Sequence, residues 1–329
     1  MKLIGLEEHF VTPDVLSAWK ALDPKYQDVA LTHSDGGEIG RRLIDVGDER
    51  IGAMADTGFD VQVLSLTAPG VQNLEPTEAV ALQTASNDFL AEKVRADPDR
   101  FQGFATLATP DPKAAARELE RAIRQLGMNG AMLFGRTRER NLDHHDNWPI
   151  FEAAAALRAP LYLHPQSPLP AVREAIYGGF DEELNAAFAT HGIGWHYETG
   201  LQILRMVVAG VFDRFPDLQI ITGHWGEVVL FYLERTESLG MMARLQLPVS
   251  EYFRRNVTVT PSGMWSQRYL RWAIEVLGVE RIMFSTDYPY RFTPGGGARR
   301  FLDEAALSDD DKAAIAHGNW ERMVGDIRR

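Results

Sequence analysis

Cysteine is absent from all 329 residues. This excludes disulfides, thiolate metal ligands and cysteine nucleophiles, and it fits a reducing cytoplasm. Any metal must rest on His, Asp, Glu or water. Positive charge is also short, with 34 Lys and Arg against 46 Asp and Glu and a formal charge of -12. A nucleic-acid partner wants a basic face, so none is expected. A small anionic substrate is still admissible, because a few arginines and a metal reverse the sign locally. No segment reaches the ~18 apolar residues of a membrane span. The N-terminal MKLIGLEEHF turns acidic where a signal peptide is apolar. A cytoplasmic protein without membrane attachment is therefore expected. A phosphate-binding glycine loop is missing too, since Gly295-Gly296-Gly297 lacks the strand-turn-helix context such a loop requires.

Hydrophobic residues make up 45% and charged residues 24% of the chain. These values are ordinary for a globular enzyme whose size supplies its own core. Short β-rich runs alternate with amphipathic helical stretches. The runs fall at 2–6, 61–66, 101–108, 130–135, 161–164, 219–224, 257–260 and 281–287. Helical patterns occupy 48–57, 76–96, 112–127, 147–158, 198–214, 227–241 and 266–278. Strands alternating with helices imply parallel strands with crossovers. Eight units predict an α/β fold, a (β/α)8 TIM barrel filling residues 1–329 as a single domain. Two connections, 11–47 after strand one and 166–196 after strand five, are too long for simple loops. They are expected as long insertions over the barrel mouth. The glycine run at 295–297 is expected to be flexible.

In such a barrel, side chains at the C-terminal strand ends converge on one site. Strand one ends in Glu7-Glu8-His9, and alternation points Glu7 and His9 the same way. Strand five ends in His164, strand six in His224 and strand eight in Asp287. Each has a bland reading. A single strand-end histidine is commonly structural, Ser285-Thr286-Asp287 could cap a helix, and Glu7-Glu8 could be solvated. Coincidence favours a metal site, because four separate strand ends carry ligand-type residues on one face. Imidazole and carboxylate ligands suit Zn2+, Mn2+ or Fe2+. His33, His144, His145, His191 and His317 read as solvent-facing, and His196 is left open.

Glu7-x-His9, His164-Pro165, His224-Trp225-Gly226-Glu227 and Ser285-Thr286-Asp287-Tyr288-Pro289-Tyr290 resemble the signatures of the amidohydrolase-2 group. That group includes the γ-resorcylate, 2,3-dihydroxybenzoate, 5-carboxyvanillate and aminocarboxymuconate semialdehyde decarboxylases. Glu-x-His in place of His-x-His is characteristic of its phenolic-acid decarboxylases. The resemblance implies metal ligands Glu7, His164 and Asp287, with His9 as a fourth or near ligand. It implies one divalent ion, Mn2+ or Zn2+, and His224 beside the substrate with Glu227 behind it. Arg50 would face a substrate carboxylate or ring oxygen, and Tyr290 would line the pocket. Arg235 would reach a neighbouring subunit's site in a homodimer or homotetramer. Gln166 stands where Arg or Asn is more usual, and the 166–196 stretch is longer than expected.

The implied activity is non-oxidative decarboxylation of an ortho-hydroxybenzoate-type acid, with Asp287 as the first candidate proton donor and His224–Glu227 assisting. The alternative is a metal-dependent hydrolase of a lactone, ester or amide on the same site, with Asp287 taking the proton of attacking hydroxide.

Overall fold

The protein, here a computed structural model, is described over residues 1–329. Its strands close into a barrel. β1 (Ile4–Phe10) pairs with β2 (Val61–Leu66), and β2 with the first half of β3 (Phe101–Gly103). The second half of β3 (Ala105–Thr106) turns to β4 (Ala131–Phe134), followed by β5 (Leu161–His164), β6 (Ile220–Thr222) and β7 (Val257–Val259), all parallel. Residues 282–288 run extended in the eighth position, β8, bridged to β7 at Ile282 and to β1 at Tyr288. Leu6 N–H donates to Phe284 O at 3.0 Å and His9 N–H to Tyr288 O at 2.7 Å, closing the ring. The predicted strand 101–108 is thus two short pieces, because Phe104 changes partners between β2 and β4. The eighth strand makes bridges rather than a continuous ladder.

Alternation sorts the side chains into two layers. Ile4, Leu6, Val61, Val63, Phe104, Met132, Tyr162, Ile221 and Met283 fill the barrel interior. Their neighbours Leu64, Leu133, Leu161, Leu163, Ile220, Val257, Val259, Ile282 and Phe284 face the helices. The helices follow the predicted 3.6-residue pattern closely. Pro76–Ala96 and Asp48–Thr57 match their predicted limits. The stretch predicted as one helix over 198–214 is two, Gly194–Val208 and Val211–Arg214, broken at Gly210 with φ 73°.

The two long connections are mostly helical. Residues 11–47 hold the helices Pro13–Ala21, Leu31–Ser34 and Gly37–Ile44. Residues 166–196 hold short helical turns from Pro170 to Gly192, then enter the helix beginning at Gly194. The two meet above the mouth. The Ser167 hydroxyl donates to Asp28 at 2.5 Å, and Trp195 Nε1 donates to Ser167 Oγ at 2.9 Å. The glycine run at 295–297 is pinned rather than free, since Gly296 N–H donates to Asp56 O at 2.7 Å.

One irregularity places the site. Ile4 and Gly5 pair with Val61 and Gln62, but Glu8 and His9 pair with Leu64 and Ser65, so β1 carries one extra residue. This bulge turns two successive side chains, Leu6 and Glu7, into the barrel. Glu8 faces the helix layer, where Thr286 N–H and Oγ1 and Gln62 Nε2 donate to it. Without the bulge, the parity that buries Ile4 and Leu6 would send Glu7 and His9 outward. A Cβ on Gly5 would collide with the Glu8 carboxylate and the Phe59 ring. We therefore expect Gly5→Ala to lower stability by ~1–3 kcal/mol in a denaturant titration. Unchanged stability would show that the bulge does not depend on this close contact.

Candidate metal centre and active site

Glu7, His9, His164 and Asp287 converge at the mouth, with one ligand-type atom of each within 4.8 Å of the others. Each is aimed by a second contact. Tyr162 OH donates to Glu7 Oε2 at 2.8 Å, and the hydroxyls of Ser262 and Ser285 also donate to it. Glu7 Oε1 is left buried with no partner. His164 Nδ1 donates to the Pro165 carbonyl at 2.9 Å, which places the lone pair on Nε2, 3.3 Å from Glu7 Oε1. His9 Nδ1 meets Ser65 Oγ at 3.2 Å, while its Nε2 is buried and unpartnered, 3.4 Å from Asp287 Oδ1. Asp287 is held at the cluster by its backbone N–H, which donates to Glu7 O at 3.0 Å.

Orphaned buried polar atoms are costly. Two of them pointing at one place, each backed by a fixed hydrogen bond, are the arrangement of ligands around a metal ion. Burial pushes the Glu7 carboxyl up, lowers His9 to about 4 and holds His164 well below the usual imidazole range. Both imidazoles are thus neutral near pH 7, the form that coordinates. The residues fit a divalent cation.

His224, Glu227 and His196 form a second group. Glu227 Oε1 accepts from His224 Nδ1 at 2.8 Å, and Oε2 accepts from His196 Nδ1 at 2.7 Å. Here each carboxylate oxygen already accepts from an imidazole N–H, so neither is orphaned as Glu7 Oε1 is. Burial works to lower the His224 pKa, but the charge and hydrogen bond of Glu227 outweigh it and raise it to about 10. The loop that carries them is unusual. His224, Trp225, Gly226, Glu227 and Val228 all have positive φ, between 49° and 88°. Four are not glycine, and such residues cost ~1–3 kcal/mol each unless surrounding structure enforces them. Ser262 Oγ accepts from His224 N–H at 3.1 Å, and Thr260 O accepts from Trp225 N–H at 2.9 Å. The third group, His144, His145 and Asp146, lies together on an exposed turn and has no such framing.

The predicted site residues divide. Glu7, His9, His164 and Asp287 are brought together, with His224–Glu227 beside them. Tyr290 stands at the same mouth, its ring 5.9 Å from His9 and its hydroxyl bonded to Ser34 at 2.8 Å and Thr67 at 2.7 Å. Arg50 does not face substrate. It is fully buried, and its guanidinium is spent on the carbonyls of His9, Arg42 and Asp45 and on Gln62. A guanidinium occupied by four acceptors fixes the β1 end and the start of its own helix instead. Arg235 lies exposed on the helix Val229–Ala243, outside its own chain's pocket. Glu8 is buried rather than solvated. His144, His145 and His191 are exposed, whereas His33 and His317 are half-buried. His33 packs against His191 and Trp195, and His317 bonds Glu321. Sequence reasoning passed over Tyr162, Thr260, Ser262 and Ser285. Tyr162 and Ser285 stand two residues before His164 and Asp287, so strand parity alone marks them as inward.

The chain is similar over its whole length to known proteins. The amidohydrolase family model matches residues 16–325, and the chain belongs to that family. The γ-resorcylate decarboxylase of Polaromonas sp. strain JS666 is 34% identical over 97% of both chains. The solved 5-carboxyvanillate decarboxylase of Novosphingobium aromaticivorans, complexed with manganese and 4-hydroxy-3-methoxy-5-nitrobenzoic acid, is 32% identical with a TM-score of 0.90, covering 98% of this chain and 96% of that one. The dihydroxybenzoic acid decarboxylase of Polaromonas, solved with manganese and 2-nitroresorcinol, is 33% identical with a TM-score of 0.84, covering 98% and 97%.

Tyr162→Phe removes one donor from the hydroxyl cradle of Glu7 Oε2 and should weaken divalent-metal binding ~10–100-fold in a chelator competition, with the circular dichroism spectrum unchanged. Wild-type affinity in this variant would mean that the cradle does not orient the ligand.

Proposed function

We propose that this protein is a metal-dependent, non-oxidative decarboxylase of an ortho-hydroxylated aromatic acid. The observation that carries the reading is the juxtaposition of two sets of groups. The unsaturated cluster Glu7, His9, His164 and Asp287 lies beside an imidazole, His224, whose Nδ1 is tied back to a buried carboxylate. Full-length likeness to decarboxylases of such acids supports it. A ligand set of imidazoles and carboxylates without thiolate accommodates Mn2+ or Zn2+, and the manganese in the related structures favours Mn2+.

The reaction breaks the bond between ring carbon and carboxylate, leaves its electron pair on the ring carbon, and replaces CO2 with a proton. A divalent ion on the four ligands supplies charge neutralisation for the substrate's carboxylate and phenolic oxygens. Asp287 delivers the proton from within the ligand cluster, where burial raises its pKa to about 7 in the metal-free protein. His224 presents its Nε2–H to the substrate oxygens while Glu227 holds its Nδ1–H and so its ring orientation. Tyr290 lines the wall, and the two helical connections keep bulk water from the carbanion-like ring carbon.

Arg235 acts from a neighbouring subunit in a homodimer or dimer of dimers. Its helix also exposes Phe231 at 70% and Met242 at 80%, an apolar face of the kind that subunits cover. The chain works as one barrel unit, and the absence of cysteine supports a cytoplasmic setting. No helix is long and apolar enough to cross a membrane.

The test is CO2 release from manganese-loaded protein given a panel of ortho-hydroxybenzoates, with simple lactones alongside. Decarboxylation without lactone opening is expected, and ring opening alone would replace this reading with hydrolysis. On the active acid, His224→Asn should keep its metal and fold but lose ~10²–10⁴-fold in turnover. Near-normal turnover per folded molecule would remove His224 from the chemistry.

A further inference from the structure

His196 comes from the segment above the mouth, not from a barrel strand, and no signature motif includes it. Its Nδ1 lies 2.7 Å from Glu227 Oε2, and Glu227 Oε1 lies 2.8 Å from His224 Nδ1. The two imidazole rings are 4.4 Å apart, tilted by 56°. One carboxylate with no solvent exposure therefore accepts from two histidines, one on each oxygen. On its far side, His196 Nε2 lies 3.3 Å from the His191 carbonyl.

The approach of this helix is built for the contact. Gly200, one turn after His196 in the helix Gly194–Val208, lies against the Glu227 backbone so closely that a Cβ there would collide with the Glu227 carbonyl. The receiving loop 224–228 has five successive positive φ angles and needs outside clamps to hold its shape. Ser262 and Thr260 clamp its start, and His196 clamps the Glu227 side chain near its end.

We propose that His196 is a positioning residue, which holds the outer oxygen of Glu227 so that the inner oxygen fixes the ring orientation of His224. This rests on the reading of His224 as the substrate-side imidazole. It gives the 166–196 connection a part in the chemistry. The same segment is fastened above the mouth through Trp195, Ser167 and Asp28, so seating the segment and setting His224 are one event.

The test compares His196→Phe and His196→Asn in the full-length, manganese-loaded protein, each alone and on a Glu227→Gln background. His196→Phe should lower kcat ~10–100-fold, as loss of an orienting partner does, with KM for the ortho-hydroxybenzoate and metal content little changed. His196→Asn keeps an N–H donor and should recover most of that loss. On the Glu227→Gln background, His196→Phe should have almost no further effect, because the pathway runs through that carboxylate. Imidazole 15N spectra of the metal-free protein give a readout independent of turnover. The His224 Nδ1–H should show the shift of a strong hydrogen bond to Glu227 in the wild type and lose it in His196→Phe. Unchanged His224 resonances, or additive losses in the double variant, would overturn the proposal. Wild-type spectra as expected, with no decarboxylation of any acid, would instead count against the activity while leaving the His196–Glu227–His224 arrangement in place.

Discussion

The carboxylate of Glu7 has its two oxygens in different surroundings. Oε2 receives the hydroxyls of Tyr162, Ser262 and Ser285, while Oε1 receives nothing from the protein. A buried carboxylate is tolerated only when protonated, hydrogen-bonded or paired with a cation. Asp287 lies in the same cavity, so the negative charges there also raise each other's cost. A divalent cation on Oε1 relieves both penalties together. The inward hydroxyls at 162, 262 and 285, the neutral imidazoles at 9 and 164 and the bulge in β1 all fit that one requirement.

The bulge also shows why fold and site differ in how far they can be read from sequence. The alternation of β-rich and helical runs was enough to predict the barrel, because buried strands and amphipathic helices leave different periodicities. The strand-end residues Glu7, His164, His224 and Asp287 were legible because barrel topology sends every C-terminal strand end to one place. Glu7 and His9 do share a direction, as alternation requires. That this direction is inward depends on an extra residue in β1, for which the sequence carries no periodic signal.

Arg50 and His196 mark the limit from opposite sides. Resemblance assigned Arg50 to substrate, but whether a guanidinium reaches a ligand depends on which acceptors surround it. Here the backbone carbonyls of His9, Arg42 and Asp45 take it first. His196 could not be placed at all, because its partner Glu227 lies 31 residues away and is reached only when an irregular segment folds back over the mouth. Contacts between distant, non-repeating segments have no local signature. The hydroxyl of Tyr162 is a middle case, since strand parity points to it although no motif does.

We propose that the unsaturated atoms at the ends of β1, β5 and β8 hold one divalent ion. Anomalous diffraction at the manganese edge, from crystals grown with Mn2+, tests it most directly. The account predicts one strong peak in coordination contact with Glu7 Oε1, His9 Nε2, His164 Nε2 and the Asp287 carboxylate. A peak among His196, His224 and Glu227, or none at the barrel mouth, would contradict it.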